Sequence, residues 1–170
     1  MVRGFTLLEL MISVFVMMIL MLGVAPNFSG LSKEVKVERA AAEIYGLLMQ
    51  TKADAIMRNE PLWSHFNHLP QGAEDGTWTI SVTNSSSTSG TTYLALSSLP
   101  YQNVHIHLNH NSKQIKFDNL TGVVLSTGTI TISPYSQQNS GIKIKTSAAS
   151  GRIVVCQFGG AEHGVGECSV

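Results

Sequence analysis

From Phe5 to Val24 the chain is apolar at every position except a few small or hydroxyl residues and one carboxylate, Glu9. A run of about twenty such residues is long enough for a helix to cross the roughly 30 Å hydrocarbon core of a bilayer. After Pro26 the pattern becomes amphipathic. Val37, Ala41, Ile44, Leu48, Thr51 and Ala55 recur at steps of four and three, with Leu47 and Ile56 widening the stripe. Lys33, Lys36, Arg39, Glu43, Lys52, Asp54 and Arg58 occupy the other sides. This is a helical period. The spacing predicts one helix from Phe5 to Asn59, stopping before Pro61.

From Leu62 the period changes to two. Strands are predicted at Leu62–Phe66, Thr77–Thr83, Thr92–Leu96, Asn103–Leu108, Gln114–Phe117, Thr129–Ser133, Gly141–Thr146 and Arg152–Phe158. Turn signals at Asp75-Gly76, Asn119 to Gly122, Ser140-Gly141 and Ser150-Gly151 separate several of them. Short strands at this spacing predict antiparallel sheets, two of them, packed with the end of the helix: an α+β fold. The polar stretch from Asn84 to Thr92 reads as a mobile hairpin tip. The chain thus divides into 1–4, a short leader; 5–26, an apolar helix; 27–60, its amphipathic continuation; and 61–170, a β-rich domain.

Charge adds little to this picture. Formal net charge is zero, so the whole chain has no general attraction for polyanions. Locally, Lys113, Lys116, Lys143, Lys145 and Arg152 face only Asp118 between Tyr101 and Ile153. The two cysteines, Cys156 and Cys168, flank a Gly-rich segment with no core of its own. In an exported domain they are expected to form a disulfide closing that loop. Two free thiols or a metal pair is the alternative reading.

The carboxylate in the apolar run needs an explanation, because a charge within a membrane-spanning helix costs about 2–3 kcal/mol or more. Gly4-Phe5-Thr6-Leu7-Leu8-Glu9-Leu10 resembles the class III signal of type IV pilins and of the pseudopilins of type II secretion. The resemblance implies cleavage between Gly4 and Phe5 by a prepilin peptidase and N-methylation of Phe5. It also implies that the apolar helix is kept, first as a membrane anchor and then as the filament core. Glu9 would meet the N-terminal amine of a neighbouring subunit. A buried carboxylate is tolerable when a cation meets it in the same medium. Pro26 falls where that family has a helix-bending proline, which implies a kink there.

The body resembles the GspH/FimT-type minor pilins. The similarity lies in the helix exit Ala53-Asp54-Ala55-Ile56-Met57-Arg58-Asn59-Glu60-Pro61-Leu62, in Ile115-Lys116-Phe117 followed by Gly122, and in Gly151-Arg152-Ile153. The implied protein sits in a bacterial inner membrane with its globular domain in the periplasm, then enters a pilus or pseudopilus. Implied partners are other major and minor pilins, the inner-membrane assembly platform and membrane lipid. The implied role is priming or capping assembly at a type IV pilus tip; the alternative is a minor pseudopilin of type II secretion.

Other chemistry is sparse. His105 and His107 share one side of a predicted strand at metal-compatible spacing, but with Val104, Ile106 and Leu108 filling the core they read as an outward face. His65 and His68 read the same way. No phosphate loop, nucleophile elbow or zinc-protease motif is present, so neither a cofactor nor a catalytic centre is expected. Some FimT-like proteins carry a Gly-Arg-x-Arg segment tied to DNA binding. Here Val154 stands at the second arginine position, leaving Arg152, with Lys143 and Lys145, as the DNA-binding candidates.

Overall fold

The structure is a computed structural model. It describes all residues except 1–4, 68, 70–76, 111, 161–162 and 169–170, and leaves undescribed the side chains of 22–31. The chain forms two compact units, Met1–Lys33 and Glu34–Val170. Helix α1 (Leu7–Arg58) contributes its first part to one unit and its last part to the other. The kink expected at Pro26 lies among residues whose side chains are outside the described set.

In the first unit, every large apolar side chain from Phe5 to Met21 is between 48% and 79% exposed. This part of α1 is apolar on all sides, so no single face can be buried against a domain. Among the described residues, no helix is long and apolar enough to cross a membrane. The side chains of 22–31 are outside the described set, whereas the apolar run in the sequence continues to Val24.

In the second unit, α1 buries Val37, Ala40, Ala41, Ile44, Leu48, Thr51 and Ala55. The whole predicted stripe is inside, joined by Ala40. Ile56, expected to widen it, is 44% exposed. The helix stops by a Schellman motif. Asn59 takes a left-handed conformation (φ 52°), its N–H donates to the Ile56 carbonyl, and the Glu60 N–H donates to the Ala55 carbonyl. Asparagine tolerates this conformation better than most residues, and Pro61 prevents the helix from resuming.

Eight strands follow: β1 (Leu62–Asn67), β2 (Thr79–Thr83), β3 (Thr92–Ser97), β4 (Val104–Asn109), β5 (Gln114–Phe117), β6 (Gly128–Pro134), β7 (Gly141–Ser147) and β8 (Arg152–Phe158). They form two four-stranded antiparallel sheets, ordered β3-β2-β1-β5 and β4-β6-β7-β8. One core joins the α1 stripe to Leu62, Phe66, Ile80, Val82, Ile115 and Phe117 of the first sheet and to Ile106, Ile130, Ile132, Ile142 and Ile144 of the second. Trp78 and Tyr101 stack within it, with ring centroids 6.1 Å apart. Burial and the adjacent Glu43 carboxylate push the Tyr101 phenol up to about 12, so it stays neutral.

Two glycines explain motifs noted in the sequence. Gly122 has φ 63°, and a Cβ there would lie 2.8 Å from Ile56 Cδ1 and Lys52 Cγ. The turn after β5 therefore presses directly on the last turns of α1. An Asx-type hydrogen-bond set around Asp118 shapes that turn: the Thr121 hydroxyl and the Leu120 and Thr121 N–H groups all donate to its carboxylate. These bonds hold the Asp118 carboxyl below its usual value, the Thr121 hydroxyl contributing most. Gly151 (φ 63°) ends the β7–β8 turn, where a Cβ would meet Val123 Cγ1 at 2.8 Å.

One histidine expectation fails. His65 is buried rather than outward, with Nε2 2.9 Å from Thr83 Oγ1 and 3.0 Å from the Ser85 carbonyl oxygen. The segment after β2 folds over it. That segment is also tied at its root, where the Thr91 N–H donates to Asn84 Oδ1. His68 lies outside the described residues.

Candidate functional site

The N-terminal segment starts α1 with a cap. The Glu9 N–H donates to Thr6 Oγ1 at 3.3 Å, and the Leu10 N–H donates to the Thr6 carbonyl at 3.2 Å. Thr6 is thus the N-cap and Glu9 the third helical residue, the threonine half of a capping box. The Thr-x-x-Glu spacing carried this signal in the sequence. Glu9 sits in the first turn, where the helix dipole favours a carboxylate. It is exposed among exposed apolar neighbours. Gly4, on one side of the expected cut, lies outside the described residues; Phe5, on the other, is 73% exposed.

At the other end of the chain, Cys156 of β8 and Cys168 are joined in a disulfide, at a separation of twelve residues. The segment it closes returns to lie parallel beside the end of β8, bridging Glu167 to Gln157. The Gln157 N–H donates to the Gly166 carbonyl and the Cys168 N–H donates to the Gln157 carbonyl. A contact 125 residues apart in sequence completes the arrangement: His163 Nδ1 lies 3.2 Å from Glu38 Oε1 on α1. His163 also donates its backbone N–H to Gln157 Oε1 at 2.7 Å. Between α1, the second sheet and this segment lies a groove of about 510 Å³, lined by Ala41, Ala42, Tyr45, Ile142, Val155 and Val165 with Glu38 and His163. Nothing in the local sequence pattern signalled the His163–Glu38 pairing.

The outer face of the second sheet follows from its register. Lys143 pairs with Cys156, Lys145 with Val154 and Ser147 with Arg152. Directly opposed residues share a face, so Lys143, Lys145 and Arg152 lie on one side, as do Thr129 and Thr131 of β6 and His105 and His107 of β4. None of the four strands contains Asp or Glu. Lys143 Nζ sits 4.3 Å from the centre of the Phe158 ring, and Val154 is 47% exposed beside Lys145. His110 departs from its neighbours in the motif. It is half-buried, with Nε2 3.2 Å from Thr146 Oγ1, and burial lowers its affinity for a proton. Among the described residues, no group of three or more His, Cys, Asp or Glu side chains is arranged to hold a metal.

Comparisons with known proteins agree with this anatomy. The family model for the type II transport protein GspH matches residues 40–161. The model for the prokaryotic N-terminal methylation motif matches residues 1–25. The fold is similar to the crystal structure of the Pseudomonas aeruginosa type IV minor pilin FimU, with a TM-score of 0.54 and 15% identity over 74% of this chain and 91% of that one. No curated sequence matched. With an N-terminal methylation motif on an exposed apolar helix and a GspH-type body behind it, the chain belongs to the GspH family of type IV pilin-like minor pilins and pseudopilins.

Proposed function

We propose that this chain is a minor pilin of a type IV pilus that primes or caps assembly at the filament tip. Cleavage falls between Gly4 and Phe5, and Phe5 becomes the N-methylated terminus. The apolar helix anchors the subunit in the inner membrane with the globular domain on the periplasmic side, then packs among the helices of other major and minor pilins. Glu9 pairs with a neighbour's terminal amine. The observation that carries this reading is the exposed apolar surface of Phe5–Met21 with Glu9 as its one charge. Such a surface needs lipid or other helices to cover it. Mass spectrometry of sheared filaments tests it: the expected species begins at methylated Phe5. A chain recovered from filaments that still begins at Met1 contradicts it.

The alternative within the family is a pseudopilin of type II secretion. Neighbouring genes separate the two: pilus assembly genes support the first reading, a secretion operon the second.

A second activity is favoured by one observation, the register that sets Lys143, Lys145 and Arg152 on one face of strands that contain no Asp or Glu. Cationic contacts to phosphate supply most non-specific affinity for DNA, and that affinity falls steeply with salt. A gel shift with the full chain in detergent, repeated with Arg152→Ala and in rising salt, tests this. A shift that weakens with both supports DNA binding; no shift at low salt removes it.

A further inference from the structure

We propose that His105 and His107 form a two-imidazole site on the edge of the second sheet that binds a borderline divalent transition metal, Cu²⁺ ahead of Zn²⁺. The register carries the argument. His105 pairs with Ser133 and His107 with Thr131, so both imidazoles leave β4 on the same side. Val104 and Ile106 take the other side and are buried. Residues two apart on a strand are about 7 Å apart along it. Two imidazoles rising from that base can lean together onto one ion at bond lengths of about 2 Å.

Access and chemistry agree. β4 is an edge strand, paired in its sheet only with β6 among the described residues. His107 is exposed and His105 half-buried. No hydrogen bond occupies either ring among the described contacts. Neutral imidazole suits Cu²⁺, Ni²⁺ and Zn²⁺, and the general affinity order places Cu²⁺ highest. No carboxylate stands on these strands to favour Mg²⁺ or Ca²⁺. Lys143, the nearest lysine by register, is two strands away and is turned onto Phe158. Two protein ligands leave the remaining coordination positions to water or to a group from another molecule, so the site is labile and open rather than structural.

His110 supplies the internal control, because it belongs to the same His-rich stretch yet engages Thr146 on the inner side. Copper(II) titration of the full chain in detergent, followed by calorimetry and electron paramagnetic resonance, is the test. Removing even a supporting partner of a metal ligand costs 10–100-fold in affinity, so losing one of two ligands should cost at least about tenfold. Both His105→Asn and His107→Asn should show that loss, together with loss of the two-nitrogen hyperfine pattern. His110→Asn should retain both. Circular dichroism of each variant checks that the sheet is intact. Copper binding unchanged in His107→Asn, or weakened equally in His110→Asn, overturns the proposal, as does the absence of any copper binding by the parent chain.

Discussion

The two parts of α1 solve opposite problems with the same secondary structure. Between Val37 and Ala55 the apolar residues keep to one stripe, and the chain's own two sheets cover them. Between Phe5 and Met21 the apolar residues go all round, and each large one is about half exposed or more. The first pattern is satisfied by folding. The second is satisfied only by another molecule, lipid or helix. Glu9 belongs to the second part, and the proposed function gives it a partner on a neighbouring subunit.

The sharpest way to break this contrast is to truncate one residue in each part. Leu48→Ala removes a fully buried side chain and should destabilise the globular unit by about 2–5 kcal/mol. Leu8→Ala, at a position 69% exposed, should leave the same denaturation midpoint unchanged. Equal effects would mean that the two parts are not distinct.

A smaller effect is expected from the C-terminal tether. Cys168→Ser opens a loop of twelve residues' separation and should cost about 3 kcal/mol by the chain-entropy account. Chemical denaturation of the variant, set beside the reduced parent, measures it. The apolar helix should be indifferent to this change.

The smallest effect is pH dependence at His110. Burial holds its folded value below the usual 6.5, so the unfolded chain takes up the proton first as pH falls. Its contribution is complete above about pH 6.5 and is lost as pH drops through the folded value. The parent should therefore lose more stability between about pH 7.5 and pH 5 than His110→Gln does. Denaturation midpoints at the two pH values check this; identical losses would contradict it.

Much of the fold was legible because it rests on period. All eight strands lie where alternation placed them, and β5 and β8 match to the residue. The helix ends one residue before Asn59, whose left-handed conformation closes it. The pairing of strands was not legible. The chain crosses between sheets at β3–β4, β4–β5 and β5–β6, and alternation alone does not distinguish the sheet a strand joins. His65 was misread because a polar segment distant in the pattern folds over it. The His163–Glu38 contact depends on a glycine-rich return that has no period at all. Of the N-terminal segment, Glu9 stood out as a charge in an apolar run, and the Thr-x-x-Glu spacing signalled the cap that Thr6 makes.

The most direct measurement is the fate of Glu9→Ala in cells, comparing its level in the membrane fraction with its level in sheared filaments. The account predicts normal membrane insertion, since the substitution only makes the helix more apolar, together with loss from filaments. Incorporation at the parent's level would contradict pairing between Glu9 and a neighbouring subunit's amine.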